Sequence, residues 1–155
     1  MREVDVTAEE LEPPPWLPDF ARVAKAVFTE LAVDVWDVRV LICGPDRIRE
    51  LNREFRNTDA ATDVLTFDDH GDITGGDIAI CCEVVQEHAA RYGAPPAEEG
   101  LRVYVHALLH LCGYTHDGAS LGSTDAARHP MFEIQERIVA SLAHNDAARE
   151  KETHC

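Results

Sequence analysis

Residues 101–116 read LRVYVHALLHLCGYTH. The stretch predicts a long apolar helix over 101–112, with Gly113 as the residue just past its end. A helix turns about 100° per residue, so side chains four apart lie about 40° apart on one face. His106 and His110 therefore present two imidazoles side by side, one turn apart. Gly113 lets the chain turn back sharply, and His116 can then swing round toward them. The rest of the fold has to enclose a helix that is apolar yet carries these rings.

Working outward, residues 20–32 place Phe20, Val23, Ala24, Val27, Phe28 and Leu31 at helical spacing, with Asp19 suited to the N-cap. Residues 35–43 alternate and are β-branched, which predicts a strand. Gly44-Pro45 breaks it. Asp46 is expected to cap an arginine-rich helix whose inner stripe is Ile48, Leu51 and Phe55. Residues 57–63 read as a loop and 64–67 as a second strand. The stretch DDHGDITGG reads as a polar turn region that needs its glycines, and 77–82 as a third strand. A fourth strand is expected around residues 3–6, inside an otherwise irregular lead-in over 1–18. A helix over 83–92 ends at Gly93, and APPAEEG leads into the histidine helix. The last helix spans 131–144, with Met131, Ile134, Ile138 and Leu142 inward, and a polar tail follows over 145–155. The fold class is α+β: a small mixed sheet of about four strands with about five helices, the histidine helix central and zincin-like.

A chain of 155 residues fits one domain, 1–155, with room for a proper core. No apolar run approaches the roughly 18–20 residues of a membrane span. The first residues are acidic and proline-rich, without the basic start and apolar stretch of a secretory signal. A cytoplasmic location with no membrane partner is the expectation. The five cysteines, Cys43, Cys81, Cys82, Cys112 and Cys155, are odd in number and irregular in spacing. That pattern argues against a disulfide framework and a zinc ribbon, and reads as mostly small buried hydrophobes. A net charge of −15 argues against a protein that coats nucleic acid nonspecifically, while leaving room for a local basic groove. Arg47, Arg49, Arg53 and Arg56 cluster in one run. By composition they read as a solvated helix face with Glu–Arg pairs.

One histidine on an apolar helix face is more often a satisfied core residue than a ligand. Three of them, with a glycine placed to redirect the chain, point to a metal. Packed together without one, neutral imidazoles would leave ring nitrogens in need of partners in an apolar setting. Three protein ligands with a fourth position open describe a catalytic site, whereas a structural zinc site is closed by four. The spacing His-x-x-x-His-x-x-Gly-x-x-His is also that of metzincin proteases, which carry a glutamate general base directly after the first histidine. Here that position is Ala107, so the ligand geometry is shared but the protease mechanism is not supported.

The block HALLHLCGYTH resembles the His-Gly-x-Leu-His-Leu-x-Gly-Tyr-Asp-His signature of the YbeY family, the metal-dependent endoribonucleases of bacterial ribosomal RNA maturation. LNREFRNTDAATDVLTF resembles that family's second block, GDIAIC its Gly-Asp-Ile strand and MFEIQERIV its closing helix. The resemblance runs over about residues 35 to 143. Ala107 stands for the family glycine, Thr115 for an aspartate, and Ala61 and Asp68 for prolines.

The resemblance implies zinc, one ion per chain, held by His106, His110 and His116, with His106 counted also in the catalytic machinery. It carries Arg56 over as the arginine facing the active site. A metal polarises a phosphoryl oxygen, and a guanidinium can bind the charge that builds on phosphate oxygens. Asp117 and Asp63 are the acidic candidates for proton transfer, each with a purely structural alternative. The implied activity is zinc-dependent, single-strand-specific cleavage of RNA in maturation of the small-subunit (16S) ribosomal RNA and in ribosome quality control. The implied partners are ribosomal RNA and the small subunit with its proteins, which would position an RNA that so acidic a chain holds weakly. Two alternatives stay open: a zincin-like hydrolase of another class, and a non-catalytic metal-binding ribosome assembly factor.

Overall fold

The computed structural model describes residues 2–9, 11–69, 71–114 and 130–153, and side chains as far as His144. Four strands and five helices follow one another among these residues: β1 (Arg2–Ala8), α1 (Phe20–Glu30), β2 (Trp36–Cys43), α2 (Pro45–Arg56), β3 (Val64–Asp68), β4 (Thr74–Cys81), α3 (Cys82–Tyr92), α4 (Pro96–Leu111) and α5 (Pro130–Thr153). The strands form one mixed sheet in the order β1-β2-β4-β3. β1 and β4 flank β2 in parallel, and β3 runs antiparallel to β4 at the far edge. The α+β architecture expected from the sequence is the one observed.

The period-two alternation of the strands divides the interior into two cores. Val38, Val40, Ile42, Ile78 and Ile80 pack with α1, α4 and α5 on one side. Cys43, Leu65, Ala79 and Cys81 pack with Ile48 and Leu51 of α2 on the other. α4 is the centre of the larger core. Val105, Ala107, Leu108 and Leu109 are wholly buried, and each larger side chain contributes about 1.5–3 kcal/mol of apolar burial. Tyr104 is buried beside them, with its hydroxyl donating to the Phe20 carbonyl at 2.9 Å and its ring edge-on to Phe20. Desolvation, then Asp19, pushes its pKa well above the usual tyrosine value. Asp19 caps α1 as expected, accepting from Arg22 N–H.

Several elements depart from the sequence reading. The fourth strand expected around residues 3–6 is present, and it runs further than expected, from Arg2 to Ala8. Gly44, not Asp46, is the N-cap of α2; Pro45 takes the first helical position, where its missing N–H costs nothing, and Asp46 sits in the first turn. Pro96 likewise opens α4 ahead of the predicted start, with Glu98 and Glu99 in its first turn. Phe55 is not on the inner stripe of α2. Asn52 takes that place, buried and donating to the Ala60 carbonyl. Phe55 is 56% exposed and stands edge-on to Phe67 at 5.3 Å. α5 continues to Thr153, through much of the tail read as polar and frayed.

β4 begins at Thr74, so Gly75 and Gly76 belong to the strand and not to a turn. Their lack of a side chain has a packing cause: a Cβ on Gly75 would collide with the Asp37 carbonyl oxygen, and one on Gly76 with that of Phe67. The two glycines let β2 and β3 close on β4 from both sides. The buried cysteines behave as expected: burial pushes the Cys43 thiol up to about 12 and the Cys82 thiol up to about 11. No helix among the described residues is long and apolar enough to cross a membrane.

Candidate metal-binding cleft

α4 ends in a glycine turn that also shapes the site. Cys112 is the C-cap, and Gly113 adopts φ +94°. Gly113 N–H donates to the His110 carbonyl at 3.0 Å and Tyr114 N–H to the Leu109 carbonyl at 3.1 Å. This double closure satisfies carbonyls that a helix end otherwise leaves open. The turn brings the Tyr114 carbonyl back over the last helical turn, where it accepts from His110 Nδ1 at 3.0 Å. One turn earlier, His106 Nδ1 lies 2.7 Å from Oε1 of Gln135 on α5. The amide of Gln135 is oriented by its other end, since Nε2 donates to Glu136 at 3.2 Å. Phe132 stacks against the His106 ring at 5.7 Å.

Both Nδ1 atoms face oxygens that can only accept, so in the neutral rings both carry the hydrogen. The two Nε2 lone pairs are then turned toward each other, and they stand 3.0 Å apart. Lone pairs at that distance repel unless a cation shares them. Nitrogen ligands of zinc sit about 2.0–2.1 Å from the metal, so two of them on one ion approach each other about this closely. The donor set therefore fits a metal held at the shared side of His106 and His110, each ring fixed from behind by an acceptor, as metal-ligating histidines usually are.

The pair lies in the wall of a cleft of about 580 Å³ between α4, α5 and the edge strand β3. A second hollow of about 410 Å³ adjoins it and shares Arg56, Thr66 and His110. Arg56 reaches the cleft from the end of α2. Its guanidinium donates to the Thr66 carbonyl and lies 5.1 Å above the Phe67 ring. It meets no carboxylate among the described residues. The other arginine of the cleft, Arg102, is neutralised by Glu98, Glu99 and Glu136. Burial pulls its pKa down, but Glu98 and Glu136 more than offset this. Among the described residues, Arg56 is thus the cleft arginine that no carboxylate neutralises.

The structure brings three of the expected residues, Arg56, His106 and His110, to one cleft. His116 and Asp117 lie outside the described residues. Among the described residues, no third His, Cys, Asp or Glu joins the histidine pair at ligating distance. Asp63 lines the cleft but faces His88 at 3.4 Å and Thr62 at 3.3 Å instead of orienting Arg56. Tyr114 packs against the core and serves through its backbone. Of the other arginines, Arg47 pairs with Glu9 and Glu50, and Arg49 with Asp59, as the solvated-face reading expected. Gln135, Phe132 and Arg102 were missed. Gln135 had a signal: a polar residue one turn after Met131 and one before Ile138 stands on the inward stripe of α5, where polarity needs a partner.

A sequence model of the family described as Endoribonuclease YbeY matches residues 7–143 of the chain. Endoribonuclease YbeY of Treponema pallidum (strain Nichols) is 35% identical over 149 residues, covering 90% of this chain and 89% of its own length. That of Chloroflexus aurantiacus is 40% identical over 133 residues, covering 78% and 83%. That of Thermotoga neapolitana is 43% identical over 106 residues, covering 68% and 67%. The solution structure of TM1509 from Thermotoga maritima superposes with a TM-score of 0.65 at 28% identity, over 97% of this chain and 95% of that one.

Proposed function

The chain belongs to the Endoribonuclease YbeY family, and from that premise we propose that it is a zinc-dependent endoribonuclease specific for single strands. In this reading it acts in maturation of the small-subunit (16S) ribosomal RNA and in ribosome quality control. It works in the cytoplasm, with RNA and the small subunit as partners and no membrane.

The observation that carries the reading is the 3.0 Å convergence of the His106 and His110 Nε2 atoms in a cleft that Arg56 also lines. His106 and His110 hold the metal, one ion per chain, and His116 completes the set by its spacing. When bound, the metal supplies Lewis-acid polarisation and an activated water. Arg56 binds the non-bridging oxygens of the scissile phosphate, and its planar fork matches two of them at once. The Thr66 carbonyl and Phe67 ring hold that fork in place before RNA arrives, which spares ordering cost at the moment of reaction. Ala107 supports this over a peptidase. It is wholly buried in the core, so the position that carries the protease base is sealed away from the cleft. The net charge of −15 fits an enzyme presented with its RNA by the ribosome more than one that captures RNA alone.

Cleavage of a labelled single-stranded RNA and of its duplex, with elemental analysis of the same preparation, tests the proposal. About one zinc per chain and cleavage of the single strand only are expected. Metal-loaded protein that cleaves neither would reject the nuclease reading, and metal-free protein that takes up no zinc would reject the metal centre.

A further inference from the structure

The histidine pair accounts for α4, but the His106 ring is held from α5, by a residue no part of the reaction above requires. Gln135 is 1% exposed. Its Oε1 takes the His106 Nδ1 hydrogen at 2.7 Å, and its Nε2 donates to a Glu136 oxygen at 3.2 Å. Glu136 is gripped in turn by Arg102, whose Nε lies 3.0 and 3.1 Å from its two oxygens. Arg102 itself is fixed by Glu98 and Glu99 of its own helix. A continuous chain of polar contacts thus runs from the start of α4, through α5, to the back of His106.

An amide suits the middle of that chain. It must accept from an imidazole N–H and donate to a carboxylate at the same time. An ionised glutamate at 135 could accept from His106 but would set its charge against Glu136 in a buried place. A leucine could do neither. Glu136 also settles which way the amide points. Without that carboxylate, the amide is free to turn over and offer its own N–H to His106 Nδ1. The imidazole hydrogen would then move to Nε2, and that nitrogen could no longer bind a metal.

We propose that Gln135 is the positioning residue of this site, set by Glu136 and Arg102, and that it fixes the His106 tautomer with the hydrogen on Nδ1 and Nε2 unprotonated. The proposal rests on the metal reading above, but its first consequence holds in metal-free protein. α5, outside the histidine motif, then determines how well the motif binds.

The test uses the full chain and its Q135L, Q135E and E136A variants, with two readouts besides activity. Long-range proton–nitrogen NMR of metal-free wild-type protein at mildly alkaline pH reports the tautomer of each histidine. The expected result is hydrogen on Nδ1 of His106, changing to Nε2 or to a mixture in E136A. Zinc affinity by competition with a chromophoric chelator is expected to fall about 10–100-fold in Q135L, and to fall in Q135E. Hydrogen on Nε2 of His106 in wild-type protein would overturn the proposal, even should Q135L fail to fold. So would a folded Q135L with unchanged zinc affinity. Failure of the wild-type protein to bind zinc, with the His106 hydrogen on Nδ1, would reject the metal reading and leave the positioning role of Gln135 intact.

Discussion

The backbone oxygen of Tyr114 lies 3.0 Å from Nδ1 of His110, so the turn that ends α4 is also the device that orients the ring. Gly113 makes that turn possible at φ +94°, a conformation that costs a residue with a Cβ about 1–2 kcal/mol. Gly113→Ala is expected to lower stability by about that amount in urea unfolding. It should also weaken zinc binding, because relief of the strain carries the Tyr114 carbonyl away from His110. Gly113→Asn, which tolerates left-handed backbone, should recover part of both. Lost stability with unaltered zinc affinity would separate the cap from the site.

Arg56 stands over Phe67 with no carboxylate partner among the described residues. Arg56→Ala is expected to leave zinc content and the unfolding midpoint near wild type while RNA cleavage falls by about 100–1,000-fold, the loss typical of one transition-state donor. Arg56→Lys keeps the charge but not the fork, and should recover little. Steady-state kinetics on a short single-stranded RNA decides the matter. A normal rate in the alanine variant would remove Arg56 from the site.

Gly75 has no room for a methyl group, because Asp37 backbone of the neighbouring strand occupies the space. That backbone cannot step aside as the end of a flexible side chain could. Gly75→Ala should therefore cost more than the about 1–3 kcal/mol usual for overpacking and produce mostly insoluble protein. Gly71→Ala, where the space is open, serves as the control in the same expression and thermal-unfolding comparison.

Gly75 and its neighbour Gly76 show where a sequence misleads. Gly75-Gly76 reads as a turn because glycine usually serves conformation; Gly76 does adopt φ +154°, but both glycines sit within a strand and also serve close packing against neighbouring strands, which depends on partners remote in sequence. Phe55 fails for a related reason: spacing puts it within reach of the inner stripe, but the stripe ends in Asn52, which is buried because the Ala60 carbonyl gives it a partner. His106, His110 and the glycine that ends their helix were legible, since an i, i+4 pair and a left-handed cap are local features of one helix. Gln135 and Arg102 were not, because their contacts join two helices through side chains alone. Arg56 could be separated from the neighbouring arginines only by its resemblance to a family block, since the charge run itself is uniform.

Tyr104 gives a pH dependence whose sign is fixed. Burial holds its hydroxyl neutral and raises its pKa in the folded state above the usual value. A raised pKa contributes stability that is complete below the unfolded-state value of about 10 and declines as pH rises through and beyond it. Tyr104→Phe keeps the ring and loses the bond to the Phe20 carbonyl, so at neutral pH it should be about 0.5–1.5 kcal/mol less stable. Above about pH 10 the wild-type protein should lose this advantage and the two stability curves converge. Urea unfolding of both proteins across that range checks it; parallel curves would mean that Tyr104 ionises normally in the fold.

Removal of the metal should be visible without any RNA. A ligand that binds only the folded chain stabilises it by about 2.7 kcal/mol when present at 100 times its Kd. For a protein of this size each kcal/mol moves the Tm by about 2–4 °C, so zinc-loaded protein should melt about 5–10 °C above protein in excess chelator. The facing Nε2 atoms of His106 and His110 make the prediction specific to those two rings. In the His106→Ala/His110→Ala double variant the zinc and chelator curves should coincide, because the donors are gone while the apolar face of α4 stays intact. A shift that survives in the double variant would place the metal elsewhere in the chain. Coincident curves for the wild-type protein would mean that the paired rings hold no metal under those conditions.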